Sequence, residues 1–226
     1  MPRFARVVVP EICHHVTQRG NARRDVFFTP QDRRVYLGLL KEYAQHYSVH
    51  ILGYCLMTNH VHLIAVPRDS RGLAKMLREV HGRYARYRNA IDHSSGHVWQ
   101  GRFYSCPFER LHLAAVMRYV ELNPIRARIA ASAGDYAWSS AIIHLGGNDE
   151  LNLLDLDQWR RDWITEEWSS VLARPDDQGD PIRTATYAGR PFGSDTFVEH
   201  LETQLQRRLR PMQAGRPRAE HNTNAA

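Results

Sequence analysis

Residues 57–64 read MTNHVHLI, and at their centre His60-Val61-His62 sets two imidazoles on either side of one bulky apolar residue. In an extended chain, side chains two positions apart leave the same face, so His60 and His62 point together and Val61 points the opposite way, into a core. Such a pair suits a divalent metal, although it equally describes two polar side chains on the solvated face of a sheet. Two imidazoles do not close a metal site, so a third ligand has to come from another element. Cys13 and Cys55 are poor candidates, because neither stands in a recognisable motif with the histidines. Residues 118–124, RYVELNP, offer more, since Tyr119 and Asn123 are four apart and on a helix lie one above the other. A phenol there could attack a phosphodiester, and the amide oxygen could ligate the same cation as the histidines. Separately, each also has a plain structural role, the tyrosine as packing and the asparagine before Pro124 as a helix terminator.

These residues need a scaffold, and the hydrophobic pattern supplies one. Residues 12–17 read as a strand, followed by the polar turn Gln18-Arg19-Gly20-Asn21. Thr29-Pro30-Gln31-Asp32 is a helix start, with Val35, Leu39, Leu40 and Tyr43 recurring at helical spacing. Residues 49–56 and 60–66 are strands joined as a hairpin at Met57-Thr58-Asn59. A basic helix over about 70–90, an extended stretch over 97–109 and a helix over 111–122 follow. The order β-α-β-β-α-β predicts an α+β fold of ferredoxin-like type, an antiparallel sheet with both crossover helices on one face. Residues 135–140 and 156–168 are expected to be helical packing elements, 174–181 a linker, and about 194–209 a last helix before a basic tail. The expected organisation is a catalytic domain over 1–145 and a helical, partly disordered extension over 146–226.

The chain has 226 residues, 43% of them apolar, enough for a core. The valine run at 7–9 is cut off by Pro10 and is too short for a secretory segment, and no stretch approaches the ~20 apolar residues of a membrane span. Cys13, Cys55 and Cys106 are odd in number and widely spaced, which argues against a disulfide framework or zinc ribbon and for a reducing cytoplasm. A formal charge of +6 points to a polyanionic partner.

The linked stretches HVH, GRYARYRN, HVWQGRF, MRYVELNPIRARI and DYAWSS, in this order over about residues 5–145, resemble the HUH-type single-tyrosine transposases, in particular their REP-associated branch. The resemblance implies an enzyme that cuts and joins single-stranded or hairpin DNA through a covalent 5′-phosphotyrosine. It makes Tyr119 the nucleophile and His60, His62 and Asn123 the ligands of Mg²⁺ or Mn²⁺. Relatives usually carry Gln at the Asn123 position, so the shorter side chain implies a cation nearer the helix or one reached through water. A tyrosine is a weak nucleophile at neutral pH, and a divalent cation offsets charge on the attacked phosphate.

Expected DNA contacts are Arg19 and Asn21 after the first strand, Arg83 and Arg86 on the second helix, and Arg102 in WQGRF. Arg190, Arg216 and Arg218 lie in Gly-Arg-Pro tripeptides that resemble the core of a minor-groove hook. The competing readings are a non-catalytic relative that binds palindromic DNA or structured RNA, and a zinc hydrolase on the same histidines, for which no third His or carboxylate stands at matching spacing. A monomer and a homodimer fit the sequence equally.

Overall fold

The computed structural model describes residues 6–161, 163–174 and 179–211. Strands β1 (Cys13–Arg19), β2 (Val49–Met57), β3 (His60–Pro67) and β4 (Tyr104–Phe108) form an antiparallel sheet in the order β2-β3-β1-β4. Helices α1 (Pro30–His46) and α2 (Gly72–Ile91) are the two crossovers. This is the expected ferredoxin-like arrangement. The β2–β3 hairpin turns through Thr58-Asn59, with Met57 paired to His60.

Side-chain alternation assigns each strand residue to a layer. Val16, Val61, Leu63 and Ala65 pack with α1 and α2 residues such as Leu40, Leu73, Leu77 and Val80. The capping box at Thr29 and Asp32 starts α1, and Asp32 also accepts bonds from the Tyr87 hydroxyl and Arg88 Nη1, both at 3.0 Å, tying α1 to α2. Both Asp32 and Arg88 are almost fully buried.

The opposite face is covered as well. Helix α3 (Leu113–Glu121) lays Val116, Met117, Tyr119 and Val120 against Cys13, Leu52, Cys55, Met57, Ile64 and Val66. Its approach to β2 depends on Gly53, beside a register shift between Ile51 and Gly53, because a Cβ there would stand 2.3 Å from Met117 Sδ. The histidine face is therefore not the solvated one that the isolated pair also allowed; His62 is buried beneath α3 and its neighbours.

After α3 the chain turns through α4 (Asn123–Arg126), α5 (Ala141–His144), α6 (Leu156–Arg160), α7 (Thr165–Leu172), α8 (Gly179–Ala188) and α9 (Asp195–Leu205). Residues 135–140 are not the expected helix. Leu56 N donates to Trp138 O and Ser140 N to Tyr54 O, so this stretch covers the outer edge of β2. On the far side, Phe192 N donates to Pro107 O and Glu109 N to Phe192 O, which covers β4. Edge strands left bare invite pairing with other chains, and here later segments occupy both. The Trp-rich stretch is two short helices, α6 and α7, rather than one, and Gly179 to Pro181 of the expected linker open α8. Residues 175–178 of that linker lie outside the described residues.

Candidate active site

The register brings Thr17 opposite His62, Arg19 opposite His60 and Cys55 opposite His62. Arg19, His60 and His62 thus share one face with His15, and Tyr119 of α3 stands over them. Its ring meets the His15 and His62 rings edge-on, with centroids 5.5 and 5.7 Å away at interplanar angles of 89°. The His60 and His62 rings are 4.9 Å apart.

Hydrogen bonds fix which nitrogen of each imidazole carries its proton. Thr186 Oγ1, on α8, donates to Ile182 O at 2.8 Å, so it accepts from His15 Nδ1 at 2.7 Å. His15 Nε2 is then an acceptor, and it takes the proton of His62 Nδ1 at 2.9 Å. That leaves the lone pair of His62 on Nε2. Asn59 Nδ2 donates to Arg23 O, which turns Asn59 Oδ1 toward His60 Nδ1 at 2.6 Å and likewise leaves His60 with its lone pair on Nε2. A ring nitrogen held by a protein acceptor while the other faces outward is how ligating histidines are oriented.

All three rings are held neutral, as ligation requires. Burial lowers His15 to about 3; burial and then the Arg19 charge lower His60 to about 4. His62 falls well below its ordinary value through burial, with His60, His15, Arg126 and Arg19 adding to it. Cys55 shares the face after all, contrary to the reading that separated it from the histidines. It stays a thiol, since burial pushes it far above its ordinary value. No cluster of three His, Cys, Asp or Glu side chains suited to a metal occurs among the described residues. The donors that fit a cation are therefore the two Nε2 atoms and a neutral oxygen, a borderline set open to phosphate or water oxygens.

Asn123 opens α4, one residue beyond the Leu122 cap of α3, and its Nδ2 donates back to the carbonyls of Tyr119 at 2.9 Å and Val120 at 3.1 Å. The amide nitrogen is thereby a cap for the helix end, and Oδ1 is the atom left for ligation. Arg126, which the sequence reading did not use, places its guanidinium 4.6 Å from the Tyr119 ring centre and donates through Nη1 to Tyr119 O at 3.0 Å. The sequence gave little signal for it, because α3 ends at Glu121 and it is the turn into α4 that carries Arg126 back over Tyr119. For His15 the signal was also weak: it alternates with Thr17 along β1, but only pairing with β3 puts it beside His62.

The rival tyrosines are committed elsewhere. Tyr84 donates to Val26 O and Tyr87 to Asp32, both on the α1/α2 side, while Tyr104 packs edge-on against Tyr187. Arg19 stands opposite His60, and exposed Asn21 follows it, its backbone bonded to Val98 O. Arg83 and Arg86 are exposed on α2, beyond the other face of the sheet, and Arg83 pairs with Glu79. Arg102 is exposed on the segment before β4. Arg190 is half-buried and donates to Leu209 O, and Arg216 and Arg218 lie outside the described residues.

Helix α3 is itself anchored from behind. Fully buried Glu121 accepts from Ser140 Oγ and His144 Nδ1, each at 2.6 Å, and from Trp168 Nε1 at 2.9 Å. Arg118 Nε donates to Val171 O at 2.9 Å.

A solved structure described as a REP-associated tyrosine transposase bound to a REP hairpin shares the fold, with a TM-score of 0.57 at 16% identity over 70% of this chain and 90% of that one. A putative transposase from Deinococcus radiodurans aligns over 53% of this chain and 96% of its own, at 16% identity and a TM-score of 0.37. No curated protein matches the sequence. Residues 8–123, more than half of the chain and the span that carries β1 through Asn123, match the family described as IS200-like transposase, and the protein belongs to that family.

Proposed function

We propose that the protein cleaves and rejoins single-stranded DNA, most readily beside a hairpin, with Tyr119 as the nucleophile. The observation that carries this reading is the Tyr119 ring set edge-on against His62, whose ring lies 4.9 Å from that of His60, with the Nδ1 protons of His60 and His62 both engaged and Nε2 of each left for a cation. His60 and His62 would hold Mg²⁺ or Mn²⁺, with Asn123 Oδ1 as a further oxygen donor, directly or through water. When bound, such a cation offsets charge on the scissile phosphate.

The protein's own groups do the rest. The Tyr119 oxygen bonds to phosphorus, the bond to the 3′ oxygen breaks, and that oxygen leaves as a hydroxyl after taking up a proton. The phosphotyrosine conserves the ester, so a 3′-hydroxyl of another strand can reverse the step and restore the tyrosine. Arg126 fixes the ring and adds positive charge where the phosphate has to lie, and Arg19 does so from the other side. His15 and Thr186 orient His62 without touching substrate. Family membership and the likeness to a hairpin-bound transposase support the choice of DNA.

We further propose that residues 1–145 form the catalytic unit and that the remainder supports it, as Thr186 does for His15. No helix among the described residues is long and apolar enough to cross a membrane, and the three cysteines are free and buried, which agrees with a reducing compartment. The test is incubation with hairpin oligonucleotides bearing single-stranded flanks, with and without Mn²⁺. A protein–DNA adduct that survives denaturation and maps to Tyr119 is expected. Retention of hairpin DNA with no adduct at any metal concentration would instead favour a binding protein.

A further inference from the structure

On the side of the sheet away from the histidines, an open groove of about 890 Å³ runs between α2 and residues 96–103. Its position follows from β1, where Thr17 and Arg19 face the histidines and Gln18 between them faces the groove. Arg6, Arg71, Lys75, Arg78 and Arg102 line it, and no Asp or Glu does.

Two polar atoms in this lining are buried without a partner. Gln18 is 2% exposed; its Nε2 donates to the carbonyls of Gln100 and Gly101 at 3.5 and 3.3 Å, but its Oε1 accepts nothing. Arg6 lies with Cζ 3.8 Å from the Phe103 ring centre, and its Nε donates to nothing. Buried polar groups are seldom left unpaired, so an acceptor and a donor both left open in one groove mark where a ligand's polar atoms belong. Burial and the nearby Arg102 charge also depress Arg6, a repulsion that an anion between the two would relieve.

We propose that this groove is a second nucleic-acid site, which takes one or two unpaired nucleotides of the DNA strand, with phosphate at Arg6 and Arg102 and a base edge donating to Gln18 Oε1. The volume falls within the ~300–1,000 Å³ of small-ligand sites and suits a nucleotide or two, not a duplex. The basic walls suit the backbone of a single strand, and the aromatic side chains Trp99 and Phe103 are buried in the floor beneath them. A strand leaving the groove reaches the histidine face around the turn at Arg19-Gly20-Asn21, where Gly20 bridges to Trp99. The proposal rests on the reading of the protein as one that acts on unpaired DNA.

Fluorescence anisotropy with a short labelled single-stranded oligonucleotide tests it, using full-length Arg102→Gln/Lys75→Gln, two exposed positions that leave the fold intact, and Gln18→Leu. The double variant should bind about 10-fold more weakly and flatten the log–log salt slope by about 1.4, since each phosphate contact to a single strand contributes ~0.7. Gln18→Leu should weaken binding several-fold with the slope unchanged, because it removes a neutral contact; its thermal melt separates this from unfolding. Wild-type affinity and slope in the double variant overturn the site, and so does an equal loss for duplex DNA. The phosphotyrosine assay on the unaltered protein reports the Tyr119 reading separately: an adduct together with indifferent groove variants removes this site and leaves that reading standing.

Discussion

On the face beneath α1 and α2 the buried side chains are mostly aliphatic and aromatic, and the Asp32–Arg88 pair serves to join two helices. On the face beneath α3 the buried set includes His15, His62, Thr17, Glu121 and His144, each engaged with another polar group or with the backbone of a neighbouring strand. The first face is built mainly from residues 13–91, and what it takes from later chain, Trp99, Phe103, Ile143, Leu153 and Leu154, serves as apolar filling. The second takes Thr186, Trp168, His144 and Val171 from segments that come long after the core. A buried polar group requires a partner of fixed geometry, whereas a buried leucine requires only apolar neighbours of suitable volume. The polar face therefore has to recruit particular hydrogen-bonding groups from distant chain, whereas the apolar face takes from it only side chains of suitable volume.

The sharpest test of this contrast removes the reacting atom alone. Tyr119→Phe is expected to abolish the covalent adduct on a denaturing gel and to leave hairpin affinity within a few-fold, because in the proposed reaction the phenol oxygen forms the bond but adds little to ground-state binding. An adduct in this variant would place the nucleophile elsewhere. His62→Ala should eliminate cleavage and Mn²⁺ binding by calorimetry. It should also lower stability by about 1–3 kcal/mol, since His15 Nε2 is left unpaired in a buried site. Undiminished metal affinity in both His62→Ala and His60→Ala would remove the metal centre.

The two faces can next be set against each other by matched charge deletions. Asp32→Ala and Glu121→Ala each strand buried partners and should each cost about 3–5 kcal/mol in thermal or denaturant unfolding. At a temperature where both remain folded, Asp32→Ala should form the adduct at the normal rate and Glu121→Ala should be slow, because Glu121 holds the helix that carries Tyr119. Equal rates would show that α3 needs no anchor behind it.

A milder change probes the relay. Thr186→Val keeps the volume and deletes the hydroxyl that fixes the His15 tautomer, so Mn²⁺ affinity should fall about 10–100-fold, and the buried His15 Nδ1 left unpaired should lower stability by about 1–3 kcal/mol in a thermal melt. The smallest effect belongs to the tail. Arg190 is held by Leu209 O and Arg210 by Glu199 and Glu202, so the segment through 211 is built into the fold. Truncation after residue 211 removes Arg216 and Arg218 and should weaken hairpin binding only a few-fold, lowering the salt slope by up to about 2. An unchanged slope would mean that these arginines do not reach phosphate.

Local pattern made much of this protein legible before any tertiary information. The period-two alternation around His60-Val61-His62, the Thr29 cap and the order of strands and helices specified the sheet, its crossovers and the face on which the histidines lie, because those features depend on neighbours within a few residues. The four-residue spacing of Tyr119 and Asn123 suggested one helix for both, whereas Leu122 separates α3 from α4 and Asn123 meets Tyr119 through a bond to its carbonyl. Tertiary structure alone decided that the histidine face is buried, that His15 and Thr186 set the tautomer of His62, and that Asn123 spends its amide nitrogen on the end of α3. It also decided that residues 135–140 close the β2 edge instead of forming a helix, and that Phe192 closes the β4 edge. Hydrogen bonds spanning from 47 to 171 positions leave no periodic trace in a sequence, since either partner alone looks like an ordinary histidine or threonine.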